Sequence, residues 1–288
     1  MKLMSFNVRG LNAPFKRHAL YSEIKRGDPD MVCLQETHFR RLSQPLLQVP
    51  RYTTQFHATG PTKSRGVSIL LHDRVTFQLY RKLSDPKGRY LILVCTINQK
   101  LFTICNVYGP NSSQILVKHV LLKMLTVSTG EVIVMGDFNA CPDPILDRSA
   151  SSYAHVRKQG RELTELLSHF NLYDVWRVFY PGEKGYTLFS PPHNSYSRID
   201  FFCIRGSLLP SVRDCDISSF TLLDHAPVFL ILAMTSRCLA GLHGASTTPF
   251  WAIQRYCQTC SPHLPITFRR TKILQRIRLF SGELTRRL

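Results

Sequence analysis

Val132-Ile-Val-Met-Gly-Asp-Phe-Asn139 is the stretch that decides how this chain folds and where its chemistry sits. Val132 to Met135 are apolar, with two Val and one Ile, and read as a buried strand. Gly136 then frees the backbone, and Asp137 and Asn139 follow two apart at the strand's end. Side chains two apart on an extended segment share a face. A carboxylate and a carboxamide are therefore expected to point together into a cleft beyond the sheet. Such a pair takes a proton from a water and orients it, which is what hydrolysis requires. Gly, Asp and Asn are equally the residues of a solvated turn, and the stretch alone does not choose between the two.

The same arrangement recurs outward from it. Strands are expected near 2–8, 31–35, 66–72, 75–80, 89–97, 100–107, 132–136, 199–205 and 228–233, and helices near 16–26, 112–127 and 157–169. Leu163, Leu166, Leu167 and Phe170 form one apolar stripe at helical spacing. Asn98-Gln-Lys100 is a polar turn between two apolar runs and predicts a hairpin. Strands joined partly by tight turns and partly by helices predict an α/β fold of two sheets packed face to face with helices outside.

The composition narrows the class. The chain has 288 residues, enough for one large α/β domain or two small ones. No apolar run approaches the roughly 20 residues needed to cross a bilayer. Met1-Lys-Leu-Met-Ser-Phe-Asn7 reads as a strand and not as a signal peptide. There are nine cysteines, an odd number, and Cys33, Cys95, Cys105 and Cys203 sit inside apolar runs. Buried free thiols in a reducing compartment account for them better than a disulfide framework. Thirty-seven Lys and Arg against 19 Asp and Glu give a net charge of +18. That surplus favours a polyanionic partner, nucleic acid above all, without choosing among DNA, RNA and anionic lipid.

After about residue 235 the composition changes. From Ser236 to Leu288 the only acid is Glu283, and Pro249, Pro262 and Pro265 interrupt the segment. The expected organisation is thus a domain over 1–235 and a basic, poorly ordered tail over 236–288, with a short helix near 271–280. Cys257, Cys260 and His263 supply half of a zinc spacing and lack the second ligand pair.

Polar residues recur at strand ends, where a sheet-based enzyme assembles its site. Asn7 ends the first strand, and Glu36 follows Met31–Gln35. Tyr108 and Asn111 follow Leu101–Val107. Asp200 opens Ile199–Ile204, and Asp224-His225 precede Ala226–Leu232. As a set these side chains suit phosphodiester hydrolysis. Glu36 is a hard oxygen donor of the kind Mg²⁺ or Mn²⁺ takes. Asp137 would deprotonate or hold the attacking water, with Asn139 fixing its direction. His225 would donate to a phosphate oxygen, oriented and kept charged by Asp200. Tyr108 and Asn7 offer further phosphate contacts. Singly, each has a plainer reading: Asp200 as an ion partner of Arg198, Asp224-His225 as a turn before Pro227, Glu36 as a solvated acid. Arg9, Lys16, Arg17, Arg65, Arg148 and Arg198 lie near the expected mouth and could grip backbone phosphates.

Six ordered motifs, SFNVRGLN (5–12), CLQETH (33–38), NVYGPN (106–111), VMGDFN (134–139), SRIDFF (197–202) and LDHAPV (223–228), resemble the exonuclease–endonuclease–phosphatase superfamily over about residues 2–233. NVRGLNAPFKRHAL (7–20), LDRSAS (146–151), LYDVWRVFYP (172–181) and YTLFSPPHNSYSRID (186–200) are more similar to the endonuclease domain of non-LTR (LINE-type) retrotransposon polyproteins. Apurinic endonucleases and exonuclease III are more distant. The resemblance implies a four-layered α/β sandwich and divalent-metal-dependent nicking of DNA, with Mg²⁺ as the ion and Mn²⁺ able to substitute. It implies catalytic roles for Asp137, Asn139, His225, Asp200, Tyr108 and Asn7, and metal contacts for Glu36, Asn7 and Asp224. It implies substrate contacts at Asn111, Arg9, Arg148, Thr187, Ser197 and Arg198, with Thr187 and Ser190 in a loop that enters a groove.

Two departures from the repair-type enzymes stand out. Arg9 replaces an acid or amide two residues after Asn7, and Ser197 stands where an aromatic wedge is usual. Ordinary duplex DNA is therefore expected as the substrate ahead of an abasic site. The expected partner is double-stranded DNA, with no membrane, and the protein is expected to be a nuclear monomer. A DNA-binding relic without catalysis, and a phosphatase of the same fold acting on a small phosphoester, are the competing expectations. The intact acids with His225 weigh against the first, and the charge surplus weighs against the second.

Overall fold

A computed structural model describes residues 1–39, 47–150, 154–220 and 223–234. The tail over 236–288, its expected helix and the Cys257-Cys260-His263 group lie outside the described residues. Fourteen strands are described: β1 (Lys2–Asn7), β2 (Met31–Gln35), β3 (Thr54–Ala58), β4 (Val67–Leu71), β5 (Phe77–Ser84), β6 (Tyr90–Ile97), β7 (Lys100–Tyr108), β8 (Glu131–Asp137), β9 (Leu172–Asp174), β10 (Leu188–Ser190), β11 (Ser195–Ser197), β12 (Asp200–Arg205), β13 (Val212–Ile217) and β14 (Val228–Leu232). The helices are α1 (Pro14–Gly27), α2 (Ile115–Leu125), α3 (Ala154–His169) and α4 (Val175–Phe179). No described helix is long and apolar enough to cross a membrane.

Two six-stranded sheets are formed, in the orders β13-β14-β1-β2-β4-β3 and β5-β6-β7-β8-β12-β9. The central strands β2, β4 and β6 to β8 bury nearly every residue, as strands covered on both faces must. Leu3, Cys33, Ile69, Leu93, Ile104, Met135 and Phe202 meet in the core between the sheets. The outer face of the second sheet is covered by α2 and α3 through Val117, Leu121, Leu163 and Leu167. The outer face of the first is covered by Leu20 and Ile24 of α1. Helix, sheet, sheet, helix makes the four-layered α/β sandwich that the motifs imply. The stripe expected on α3 is buried, with Leu166 at its margin.

Local chemistry explains several element ends. α1 starts at Pro14, whose fixed φ suits the first helical turn. It ends at Asp28 in the left-handed region, whose N–H returns to the Ile24 carbonyl. The β6–β7 hairpin turns on Asn98 and Gln99, both at positive φ, with Ile97 opposite Lys100. Lys100 is thus the first residue of the strand and not part of the turn. β5 lies later than expected, at 77–84 in place of 75–80. The sequence reading missed β3, β9, β10, β11, β13 and α4.

Candidate active site

The sheet register builds the site. Tyr108 of β7 and Asp200 of β12 both stand opposite Asp137 of β8. Three candidate side chains thus line up across adjacent strands at one rim, and cross-strand partners share a face. Gly136 makes this possible. It has φ 142°, and a Cβ there would lie 1.9 Å from the Val107 carbonyl oxygen, so no side chain fits. The other sheet brings Asn7 from the end of β1 and Glu36 from just past β2, with Glu36 itself at φ 52°. Asn7 joins the two sheets: its amide donates to Glu36 Oε1 at 2.9 Å and to Asp137 Oδ2 at 2.8 Å.

Asp137 is 1% exposed, which excludes the solvated-turn reading. Asn139 reaches it differently from the expectation. β8 ends at Asp137, and Asn139 is at φ 51° in a turn, so the pair is not on one pleated face. The Asn139 N–H donates to Asp137 Oδ1 at 2.8 Å, and its amide donates to Gly109 O at 3.0 Å and to Asp137 Oδ2 at 3.3 Å. His225 and Asp200 form a second pair, Nδ1 to Oδ2 at 2.9 Å. Asp200 pairs with His225 and not with Arg198. That contact leaves Nε2 as the imidazole nitrogen for a substrate.

Burial and neighbours push these groups apart. Burial, then the Asp200 carboxylate, raise Asp137 to about 7 against the pull of His225 and the amides. Burial lowers the His225 imidazole, but Asp200, Asp137 and Asp224 outweigh it and carry it to about 9. Glu36 is also penalised by burial, yet hydrogen bonds from His38, Asn7 and Tyr108 bring it down to about 2. Burial and the Glu36 and Asp137 charges raise the Tyr108 hydroxyl, keeping it a donor. The result is a charged Glu36, a cationic His225 and, at Asp137, a carboxylate of raised proton affinity.

The donor set fits a hard divalent cation. One potential ligand atom each from Asp137, Asp200 and His225 lie within 4.8 Å of one another, but a cationic imidazole offers no lone pair, which leaves the carboxylate oxygens as the donors. Asp200 Oδ1 is buried and without a hydrogen-bond partner, and Glu36 adds an ionised oxygen donor beside Asn7. Asp224 stands at the rim in an ion pair with Arg9.

Other expected substrate contacts fall elsewhere. Arg198 is fully buried and cannot grip a phosphate. Its guanidinium lies between the Trp176 and Phe201 rings, with each centroid at 5.3 Å. It donates to both Asp147 oxygens at 2.8 and 3.0 Å and to Asp174 at 2.6 Å. Thr187 is also fully buried and does not enter a groove. Its hydroxyl accepts the N–H of Ile199 at 3.0 Å and of Asp200 at 3.1 Å, which fixes the start of β12. Ser197 closes β11 and bridges Arg148, both half-buried. Asn111 is exposed, and its carbonyl accepts from Gln159 at 2.9 Å. Ser190 is half-buried at the end of β10.

Several supporting residues escaped the sequence reading. His38 contacts Glu36 Oε2 at 3.1 Å and was visible only as the last letter of CLQETH. Arg89 stacks over the Tyr108 ring at 4.9 Å and donates to Gly109 O at 3.1 Å, with no motif to mark it. Behind the site Gln35 donates to Asn106 at 2.7 Å, tying the two sheets through a buried amide pair. Asp147 lies in LDRSAS, where an acid beside an arginine was the available signal.

Comparisons with known proteins bear on the family and the fold. The chain is 28% identical over 264 residues to the DNA repair nuclease APEX1 of Danio rerio, covering 81% of this chain and 83% of that one. It is 26% identical over 241 residues to the transposon TX1 uncharacterized 149 kDa protein of Xenopus laevis, matching 81% of this chain but 18% of that protein. Among solved structures, the APE2 catalytic domain of Xenopus laevis superposes with a TM-score of 0.67 at 24% identity, covering 81% of this chain and 91% of that one. The Endonuclease/Exonuclease/phosphatase family profile matches residues 4–222, spanning every element of the site up to the 223–225 corner, and the chain belongs to that family.

Proposed function

We propose that the protein is a divalent-metal-dependent phosphodiester hydrolase that nicks duplex DNA, in the manner of a LINE-type endonuclease. The observation that carries this reading is the buried Asp137, held by Asn7 and Asn139 and faced by the His225–Asp200 pair. Burial and the Asp200 charge raise the proton affinity of the Asp137 carboxylate, which suits it to take a proton from water. Asn139 holds the carboxylate's direction. The water oxygen attacks phosphorus, and the bond from phosphorus to the leaving sugar oxygen breaks. The His225 imidazolium and the Tyr108 hydroxyl donate to phosphate oxygens as charge builds on them. Glu36, with Asn7 and Asp224, would hold Mg²⁺ or Mn²⁺, which supplies charge neutralisation at the phosphate and the leaving oxygen.

The net charge of +18 supports a polyanionic partner, and likeness to a DNA repair nuclease supports double-stranded DNA as that partner. Likeness to the transposon protein supports the retroelement reading, beside a likeness of similar degree to repair nucleases. Ser197 in place of an aromatic wedge supports it too. The same reading makes the protein a nuclear monomer whose catalytic unit ends near 235, followed by a separate basic segment over 236–288.

Supercoiled plasmid, with and without one synthetic abasic site, is the test. Nicking should occur on both, stop with EDTA and fall by about 10²–10⁴ in Asp137→Ala and in His225→Ala. Salt-sensitive DNA retention without nicking in Mn²⁺ would leave only a binding protein. Hydrolysis of inositol phosphates with none of DNA would point to the small-phosphoester enzyme.

A further inference from the structure

The rim carries an ion pair, Arg9 with Asp224, whose cation the proposed hydrolysis leaves without a task. Arg9 follows β1 at φ 42°, and its N–H donates to Asn7 Oδ1 at 3.0 Å. The Lys16 ammonium donates to its carbonyl. These contacts fix where the side chain starts. Its guanidinium crosses the mouth to the Asp224 carboxylate, and Glu36 and the Tyr108 hydroxyl lie within its electrostatic reach. The Arg9 side chain is 61% exposed and that of Asp224 17%. A solvated cation thus sits on a sheltered carboxylate.

We propose that Arg9 is a resident counter-cation of the carboxylate rim. It occupies Asp224 in the free protein, competes there with a divalent ion, and is drawn off by an incoming phosphodiester. The inference rests on Glu36 and Asp224 as metal carboxylates. A guanidinium has five N–H donors in a planar fork that matches two phosphate oxygens. Transfer of Arg9 from Asp224 to phosphate pairs the guanidinium with a new anion and frees the carboxylate for the ion. By linkage, DNA then raises the affinity for the ion, and the ion raises the affinity for DNA to the same extent. The free protein holds its metal weakly and fills on DNA.

Binding measurements on the full chain test this without cleavage. Mn²⁺ affinity is read from the electron paramagnetic resonance of free Mn²⁺ in the absence of DNA. Arg9→Gln should bind Mn²⁺ about fivefold to tenfold tighter than wild type, while Arg9→Lys, which keeps the charge, should stay within about twofold. In EDTA, Arg9→Gln should bind a fluorescent duplex more weakly, with a salt slope smaller by about one. Unchanged or weaker Mn²⁺ binding in a folded Arg9→Gln protein overturns the inference, as does unchanged duplex binding. A surface ion pair of structural use alone would move the melting temperature and neither affinity. Tightened Mn²⁺ binding with no nicking by wild type would sink the hydrolase and leave the counter-cation standing. Nicking with unchanged Mn²⁺ affinity would do the reverse.

Discussion

At the scale of single residues, the most consequential difference from expectation is Arg198. An arginine two residues before a candidate site aspartate reads as a phosphate clamp, yet here it is the largest fully buried side chain among the described residues. Asp147 and Asp174 neutralise it from two directions, and Arg177 joins Asp147 as well. The network ties the 141–149 loop, β9 and the start of β12 together just behind Asp200. Removing one partner of a buried ion pair strands the other charge. Asp147→Ala and Arg198→Lys are therefore expected to lose about 3 kcal/mol of stability each, the lysine because it cannot reproduce the bidentate fork. Urea unfolding measures this, and a loss below about 1 kcal/mol would mean the network is not buried in solution. Cys33, Cys95, Cys105 and Cys203 behaved as their apolar surroundings predict, all fully buried and free.

At the scale of elements, legibility followed periodicity. Central strands such as β2 and β8 are unbroken apolar runs and were visible at once. β13 was not, because a bulge between Val212 and Asp214 shifts its register and leaves Val212 and Cys215 buried three apart. Such a strand has no alternation to detect. β10 and β11 are three residues each and are defined by pairing with one another. α4 has five residues, begun by Asp174 accepting the Arg177 N–H, too short for a stripe. β3 is an edge strand, paired with β4 alone and only partly buried. It carries a testable titration. Burial, with Lys82 nearby, lowers His57 from 6.5 to about 4, and Nδ1 meets Ser68 Oγ at 2.7 Å. The folded protein therefore binds fewer protons there than the unfolded chain below pH about 6.5. Stability should fall as pH drops from about 6.5 towards about 4, by roughly 1–2 kcal/mol after allowance for partial exposure. His57→Gln should flatten that part of the melting temperature against pH; an unaltered slope would assign the loss to other groups.

At the scale of the whole molecule, charge and fold carry separate information. The surplus of +18 predicts a polyanion but says nothing of where it binds. Retention of duplex DNA by the full chain should fall about a hundredfold or more between 50 and 200 mM salt, as release of counterions from several neutralised phosphates requires. A flat dependence, measured by anisotropy in EDTA, would remove charge as the source of affinity.

The sequence by itself determined the sandwich and which polar side chains stand at the strand ends. Buried strands must be apolar along their length, and the polar residues of the chemistry interrupt those runs only at their ends. Thus Asn7, Glu36, Tyr108, Asp137, Asp200 and His225 could be named in advance. Tertiary structure alone decided their partners. Asn7 could be seen to join Glu36 to Asp137 only when residues 130 apart in sequence, on two different sheets, were packed together. The same packing turned Arg198 and Thr187 inward and sent Arg9 to Asp224. A side chain's partner depends on which strands lie beside it and in what register, and that is set by long-range pairing, which local pattern does not encode.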